Sequence, residues 1–541
     1  MSSTIPSGFS AVLICPRGFS LPPPFRRLWH LGSAVAALAG VLWLLQAGVA
    51  AAAEPVPAPG IGLVEAVRLM LDQDRNLSIE ESRLRSSRGA LLSAQSLFDP
   101  VLSSSVAERR VDDPLSESSS RERNTLTNSL GMTKRFRTGF SIEPGFLLTR
   151  TAEGTGDPGA VNLGTVSFTF RQPLLRGRGR EAVAAPELSA ERQVTASELD
   201  LRQTTSERAL AVVSQYWQAR AALLNLEILR ESEDRARELL GTTRKLIDAD
   251  VTPAADLVQV EANVMAKETA RIGGERALFE ARQALGREIG LEPERIATLP
   301  LPSDPFPTVP AAAVPAAADS SHWIARALER RADLQATRER RSAAEFLRKA
   351  ADNSLKPQVD LVFTPSYTGL VEGTGTGSFF SPLYRNVPGA GSALSLSLSW
   401  PTPNSRARGD LIQIEEARAQ TALLEDLLSR QIGANVPIAL DAVARNAQQL
   451  DRAAEAVRLF ERAVENEEKK LRAGTSTLID VISQRDRLTA ARQSQVSAHL
   501  ALAVAVARLR FETGTLLPPG DAHVVEVGQL TTVPVASGEG P

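Results

Sequence analysis

Residues Asn76–Pro100 read NLSIEESRLRSSRGALLSAQSLFDP, and residues Asp333–Pro357 read DLQATRERRSAAEFLRKAADNSLKP. The two stretches align without gaps at an offset of 257 positions, and both end in proline. Further along the chain the offset becomes 224, which pairs Asp256 with Asp480. Self-similarity at this distance indicates a duplicated unit, whose function should be sought in the unit and its stacking.

Composition favours long helices over a compact enzyme core. The chain has 541 residues, of which only 5% are aromatic, and alanine, leucine, arginine and glutamate are abundant. Its single cysteine, Cys15, lies in a segment that we expect to be removed. The mature chain would therefore carry no thiol, which excludes a disulfide framework and thiol redox chemistry.

The N-terminus has the form of a secretory leader. Three arginines precede the apolar run Leu31–Val49, which ends in four alanines, and we expect cleavage after Ala53. A retained membrane anchor is the alternative, because the run approaches the ~20 residues that span a bilayer. Loss of three arginines makes a chain of net charge −2 more acidic. No strongly basic surface is left to indicate a nucleic-acid partner.

Two short segments have the alternation of membrane strands. Asn162–Arg171 (NLGTVSFTFR) places valine and phenylalanine on one face and serine and threonine on the other, and Ala393–Trp400 (ALSLSLSW) does the same with leucine and serine. A soluble, half-buried strand gives the same alternation. Outer-membrane barrels also require it, with apolar residues toward lipid and polar residues toward the lumen.

The helices are too long for a globular core. Glu187–Leu246 contains no proline, and apolar residues recur at three- and four-residue spacings along it, as in a coiled coil. A second rod, Ser405–Lys470, contains Gly433 and Pro437, which should bend it or interrupt its hydrogen bonds. Each rod turns back into a return helix of about 36 residues. We expect these return helices to end at left-handed glycines, Gly290 and Gly514.

The order of segments requires assembly of several chains. In each half the strands precede the long helix, so both strand pairs emerge at one end of the rods and both helical turns at the other. Two strands per repeat cannot close a barrel, and lipid tolerates no open sheet edge. The sequence therefore predicts a mixed fold of two internal repeats, with long α-helical coiled-coil hairpins and antiparallel transmembrane strands that complete a barrel in an oligomer.

Four motifs resemble the TolC-like outer-membrane efflux protein family, from about Ile61 to Gly514. They are the duplicated helix start RADL (Arg331–Leu334), the strand start Lys356–Gln358, the strand exit QPLLRGRG (Gln172–Gly179) and LRAGTSTLIDVISQRDRL (Leu471–Leu488). The last is the most specific. The resemblance implies a homotrimer, a barrel in the outer-membrane lipid and a helical tunnel across the periplasm. It also implies partners: a periplasmic adaptor and an inner-membrane pump, whose type (RND, ABC or MFS) stays open.

The resemblance places a pore constriction at Asp480, six residues after the turn glycine Gly474. Three copies would form a carboxylate ring that attracts cations, and repulsion should raise at least one pKa. The alternative is a solvated charge at a helix start. A second ring aspartate of the family falls on Ser483 here, and two latch positions fall on Leu471 and Ser476. Asp256, the counterpart in the first repeat, should lie at the same level and face a neighbouring coil.

The turns between long helices are the predicted adaptor contacts. They comprise Asp250 and Val251 in the first repeat and Gly474 and Thr475 in the second. A further segment reads as an additional hairpin, with Leu126–Phe136 and Phe140–Arg150 on either side of a turn at Arg137–Gly139. It either decorates the barrel or raises the number of strands per chain from four to six.

The sequence divides into six regions: a leader (1–53), a linker (54–60), a first repeat (61–292), a Pro/Ala-rich linker (293–319), a second repeat (320–516) and a flexible tail (517–541). The three histidines outside the leader are widely separated, and no phosphate loop, nucleophile elbow or zinc signature is present. We therefore expect no enzyme, cofactor or metal. The predicted function is a passive exit duct of a tripartite efflux or secretion system. Alternatives are a non-transporting periplasmic coiled-coil scaffold and, third, an envelope hydrolase.

Overall fold

The computed structural model of the chain describes residues 60–154, 159–248, 253–310, 320–384, 389–518 and 530–534. The predicted leader lies outside the described residues, as do Asp250, Val251 and large parts of the predicted linker and tail. Within the described residues, none of the helices combines the length and the hydropathy of a membrane-spanning segment.

The described residues form helices and strands in the order predicted from the sequence. The helices are α1 (Leu63–Gln73), α2 (Arg75–Gln95), α3 (Arg180–Val183), α4 (Ala185–Asp248), α5 (Ala255–Ile289), α6 (Pro293–Ala297), α7 (Ser320–Arg330), α8 (Ala332–Ser354), α9 (Thr376–Phe380), α10 (Ser405–Arg472) and α11 (Leu478–Glu512). The strands are β1 (Val101–Ser116), β2 (Ser119–Arg135), β3 (Ser141–Glu153), β4 (Val161–Pro173), β5 (Gln358–Glu372) and β6 (Ala390–Ser399).

Two long helical hairpins dominate the fold. Helices α4 and α10 contain 64 and 68 residues, and the return helices α5 and α11 contain 35 each. At 1.5 Å per residue, α4 and α10 are each about 100 Å long. Both return helices are followed by a left-handed glycine, as predicted, with φ of +87° at Gly290 and +66° at Gly514. Glycine is favoured there because other residues are strained at positive φ.

Helix α10 runs without a break through Pro437, where the sequence predicts a bend or lost hydrogen bonds. A proline cannot donate to the preceding turn, so packing has to support the helix at this point. Val436 and Leu440 on either side of it are fully buried in a cluster with Trp323 and Leu502. This cluster and a second one around Trp217 and Leu285 form the apolar core of the helical part.

All six strands form one antiparallel sheet in the order β1-β2-β3-β4-β5-β6. The hairpin predicted around residues 126–150 exists as β2 and β3, with Gly139 in its turn at φ +95°. A Cβ atom at Gly139 would lie 2.0 Å from the carbonyl oxygen of Gly177, so the turn requires glycine. Strands β4 and β5, which come from different repeats, pair directly and join the two halves.

Candidate membrane wall and periplasmic gate

One face of the sheet is apolar and exposed. Because side chains alternate along a strand, the register of the ladder assigns them to two faces. Phe170 of β4 is paired with Phe363 of β5, which is paired with Leu394 of β6. The large exposed residues that share this face are Leu102, Val106, Leu130, Met132, Phe146, Phe168, Leu361, Phe363, Leu394, Leu396 and Leu398.

Charged residues on the apolar face are confined to the ends of the strands. Glu108 and Arg150 lie toward the connecting loops, where both are level with Leu126, and Lys134 lies toward the helices beside Ile142. The nine residues from Ile142 to Arg150 span about 26 Å along the strand, which is about 20 Å of height when the strand is tilted by ~40°. This height is slightly less than the ~25 Å apolar band of an outer-membrane barrel.

The opposite face carries many small polar residues, and Leu147, Leu163 and Leu370 also lie on it. Ser105 and Ser129 share a hydrogen bond of 2.7 Å across β1 and β2, and Thr165 and Thr368 share one of 3.1 Å across β4 and β5. Ser395, Ser397 and Ser399 continue this face on β6. Serine and threonine suit a surface toward water, so the two faces match the lipid and lumen sides of a membrane barrel.

Aromatic residues flank the apolar face at both ends. At the helix end the rings of Phe140, Phe170 and Phe363 stack with centroids 6.4 and 6.3 Å apart. At the loop end the β5–β6 connection lies against the sheet, where a Cβ at Gly369 would come 2.1 Å from the carbonyl oxygen of Pro382. Tyr384 of this connection is 74% exposed. Outer-membrane barrels place aromatic residues at both membrane interfaces.

The turn between α10 and α11 lies at the other end of the hairpins. Gly474 has φ +72°, and no atom would contact a Cβ built on it within 4 Å. The backbone N–H of Gly474 donates to Leu471 and that of Thr475 to Lys470, which together form a Schellman cap. Gly474 and Thr475 are both exposed, as an adaptor contact requires. The turn of the first repeat lies outside the described residues.

Asp480 is the third residue of α11 and completes a capping box. Its carboxylate accepts from the Thr477 hydroxyl at 2.6 Å and from the Thr477 backbone at 3.2 Å, while its own N–H donates to the Thr477 hydroxyl oxygen at 3.3 Å. The hydrogen bond from the Thr477 hydroxyl is the main reason why the pKa of Asp480 is lowered. The side chain is exposed to solvent. Asp480 therefore caps a helix and presents a charge at the same time.

The other predicted gate positions are near the starts of the return helices. Ser483 lies one turn beyond Asp480 and is half-buried, and Asp256 is half-buried in the first turn of α5. Ser476, at one family latch position, donates to Glu467 of α10 at 2.5 Å. That bond stays within one helical hairpin and cannot hold two hairpins together.

Contacts between the two hairpins come instead from α11, two to four turns from its start. Arg492 donates to Glu231 of α4 at 2.8 Å and to Glu461 of α10 at 2.9 Å. Arg485 donates to Glu468 of α10 at 2.6 Å and to the Arg235 carbonyl of α4 at 3.3 Å. Sequence analysis missed both arginines, because partners more than 200 positions away leave no local signal.

Two further contacts complete this seam between the hairpins. Thr489 of α11 donates to Ser232 of α4 at 3.3 Å. Lys267 of α5 donates to Asp486 of α11 at 2.6 Å. We refer to Arg485, Asp486, Thr489 and Arg492 with these partners as the hairpin seam. Within the described residues, no group of three or more potential ligands could hold a metal ion.

Comparison with known proteins relates part of this chain to a sequence family. Residues 323–515 match the sequence model of the family described as outer membrane efflux protein. The predicted family is thereby confirmed for this part of the chain, which is an outer membrane efflux protein domain. No curated protein matches the chain by sequence.

Solved outer-membrane channels share the fold. The outer-membrane channel OprN is 17% identical, with a TM-score of 0.61 over 84% of this chain and 89% of its own. The outer membrane protein VceC of Vibrio cholerae is 15% identical, with a TM-score of 0.60 over 84% and 96%. The Campylobacter jejuni CmeC outer membrane channel is 13% identical, with a TM-score of 0.61 over 84% and 85%. All three are outer-membrane proteins or channels, and the outer membrane is also the location predicted for this chain.

Proposed function

We propose that this protein is the outer-membrane exit duct of a tripartite efflux or secretion system. Three copies join their sheets into a barrel in the outer membrane, and their helical hairpins form a tunnel through the periplasm. The duct is passive, and its closed periplasmic end opens when an adaptor and an inner-membrane pump engage the hairpin turns. The efflux domain at residues 323–515 supports this role.

The observation that carries the proposal is the exposed apolar face of the sheet. Leu394, Leu396 and Leu398 of β6 are 67–70% exposed, and the serines between them face the other way. Leaving large apolar side chains in water is unfavourable, at about 25 cal/mol per Å² of apolar surface. Lipid on this face and water on the serine face remove that cost.

The same observation weakens the alternative of a periplasmic scaffold. A soluble coiled-coil protein would gain nothing from six strands with an exposed apolar face, since such a face promotes aggregation. The long hairpins alone would serve a scaffold equally well. The strands are the feature that distinguishes the two functions.

Arginine substitutions on adjacent residues of β6 test the proposal. Leu396→Arg places a charge on the apolar face, where it costs about 2–4 kcal/mol at the bilayer midplane. Ser397→Arg, the matched control, places the same charge on the polar face. We expect Leu396→Arg to reduce assembly in the outer-membrane fraction strongly. Ser397→Arg should assemble normally and shift the channel toward anion selectivity in planar bilayers.

Efflux supplies the functional measurement. Deletion of the protein should sensitise its host to the exported compounds, and Ser397→Arg should restore resistance while Leu396→Arg should not. Equal membrane assembly of both variants would contradict the proposed orientation of the sheet. Recovery of the wild-type protein in the soluble fraction without detergent would support the scaffold instead.

A further inference from the structure

We propose that the β1–β2 hairpin is part of the membrane wall, so that every chain contributes six strands. The free edges of β1 and β6 then pair with each other between neighbouring copies. Three copies close an eighteen-stranded barrel, given six strands in each. This inference rests on the proposed function and decides the width of the duct at the membrane.

Strands β1 and β2 have the same two faces as the rest of the sheet. Leu102 and Val106 of β1 are level with Met132 and Asn128 of β2 and lie on the apolar face. Ser103, Ser105 and Ala107 alternate with them on the polar face. Leu102 is 72% exposed, about as much as Leu398 of β6. Charged residues begin at Glu108, beyond the apolar segment.

The apolar segment shifts along the register from β1 to β6 by the amount that a tilted wall requires. Its centre is Ser104 on β1 and Leu396 on β6. The residues paired in succession with Ser104 across the sheet are Leu130, Phe146, Val166, Tyr367 and finally Ala390 of β6. Ala390 is six residues from Leu396. Six residues of rise across five strand spacings give a tilt of about 40°. Membrane barrels tilt their strands by about 35–45°.

The width of six strands matches the width of the helical part. Four helices lie side by side in each chain: α2, α4, α8 and α10 near the sheet, and α5, α4, α11 and α10 toward the turns. At interaxial distances of about 8–10 Å they occupy roughly 32–40 Å of circumference. Six strands tilted by ~40° occupy about 38 Å, whereas four would occupy only about 25 Å. Six strands therefore continue the tunnel without narrowing it.

The base of strand β2 and the turn between β2 and β3 are fastened to the helices. Arg137, in the β2–β3 turn, donates two hydrogen bonds of 2.6 Å to the buried carboxylate of Glu187 in α4. Its guanidinium also lies 4.8 Å from the ring centroid of Phe98, just before β1. Lys134 of β2 donates to the Phe98 carbonyl. These contacts hold β1 and β2 at the level where β4 ends, rather than above or beside the sheet.

The free edges of β1 and β6 indicate which molecule pairs with them. In the described sheet β1 pairs only with β2, and β6 only with β5. A strand edge in lipid leaves backbone groups without partners, at a cost of several kcal/mol for each. Strand β1 runs away from the helices and β6 runs back toward them, so the two edges are complementary as an antiparallel pair. A second copy of this chain supplies each missing edge.

Spin labels on single cysteines test whether β1 lies in the wall. The leader contains the only cysteine of the sequence, so a mature chain cut after Ala53 carries one label per engineered cysteine. In reconstituted protein, labels at 102, 104 and 106 should be accessible to oxygen, and labels at 103, 105 and 107 to a water-soluble nickel complex. Positions 394–399 of β6 provide the control series. Uniform water accessibility along β1, with alternation along β6, would overturn the inference and leave the proposed function intact.

Disulfide trapping tests the pairing of edges between copies. One cysteine replaces Ser105 of β1, and a second replaces in turn Ala393, Ser395, Ser397 or Ser399 of β6. We expect at least one pair to yield covalently linked trimers. A matched series with Thr149 of β3 in place of Ser105 should yield none, because β3 is already paired on both sides. Linkage through Thr149 instead of Ser105 would show a wall of four strands per chain.

Loss of alternation along β6 as well as β1 would be a different result. It would show that the whole sheet lies outside the membrane, which contradicts the proposed function together with this inference. The three outcomes are therefore distinguishable in one set of samples.

Discussion

Asp480 combines two roles that a single substitution would confuse. The carboxylate caps α11 through Thr477, and it is exposed at the end of the hairpin where the family places a constriction. Substitution by alanine removes the cap and the charge together. A series that separates them is therefore needed to test the predicted gate.

We predict that the charge of Asp480, and not its cap, sets the ion preference of the channel. Asp480→Ala and Asp480→Asn should both lower cation selectivity and weaken block by divalent and trivalent cations in planar bilayers. Asp480→Glu keeps the charge and a capping side chain, so it should behave like the wild type. Ser483→Asp should deepen the block, whereas Asp256→Ala should change opening more than selectivity. A wild-type response of Asp480→Asn would place the constriction elsewhere.

The pH dependence of the block follows from the lowered pKa of Asp480. The Thr477 hydroxyl stabilises the carboxylate, so the pKa of Asp480 lies below its ordinary value and the group keeps its charge to lower pH. Thr477→Val removes this hydrogen bond and should raise the pH at which block disappears. The predicted repulsion within a ring of three would act in the opposite direction. Recordings of block against pH for both proteins measure the difference, and coincident curves would contradict the assignment.

We predict that the exposed turn contacts the adaptor. Gly474→Trp should abolish export while trimers remain in the membrane. The turn itself has space for the tryptophan side chain, but that side chain would fill the space that the contacting adaptor needs. Positive φ at Gly474 strains any larger residue, so Thr475→Trp adds the same bulk without that penalty. Gly474→Asn, which tolerates left-handed angles, is the control. Normal export by Thr475→Trp, with an adaptor still required, would reject the contact.

At the scale of the helices, the hairpin seam is the feature that can hold the periplasmic end closed. Arg485 and Arg492 link α11 to both long helices, although two latch positions of the family are occupied by Leu471 and Ser476. Their side chains are 23% and 25% exposed, so solvent screens these pairs only in part. A movement of one hairpin relative to the other would have to break the Arg492–Glu231 pair and the hydrogen bond from Arg485 to the Arg235 carbonyl. The pairs with Glu468 and Glu461 stay within the second hairpin.

We predict that removing the seam favours the open channel. The Arg492–Glu231 ion pair contributes about 0.2–1 kcal/mol and the hydrogen bond from Arg485 to the Arg235 carbonyl about 0.5–1.5 kcal/mol. Arg485→Gln with Arg492→Gln should therefore shift the open–closed equilibrium by about 1–2 kcal/mol. That corresponds to roughly a 5–30-fold change in the ratio. Single-channel conductance and the uptake of large antibiotics measure it. Arg487→Gln, an exposed arginine on the same helix, is the matched control and should leave both unchanged.

At the scale of the whole molecule, the sheet makes assembly obligatory. Six strands with two free edges form an open sheet in one chain, and membrane barrels have no open edge. We predict that the protein purified in detergent has the mass of three chains and that heating dissociates the trimer and unfolds the strands together. Native mass spectrometry and circular dichroism measure the two events. A stable monomer that retains its β signal would contradict this prediction.

The sequence alone determined the elements of this protein and their order. Helices could be predicted because apolar spacing, proline-free runs and glycine caps such as Gly290 and Gly514 are local signals. The strands and the hairpin turn at Gly139 could be predicted from alternation for the same reason. The periplasmic gate could be predicted only from resemblance, since Asp480 alone has the properties of any helix-capping carboxylate.

Tertiary structure decided how these elements combine. Only the register of the ladder shows that β1 and β2 continue the same two faces as β6, which makes all six strands one sheet. Only packing brings Arg492 to Glu231 and Arg137 to Glu187. The physical reason is that such contacts depend on side chains far apart in sequence. Their energy comes from proximity that the folded chain creates and that no local pattern records.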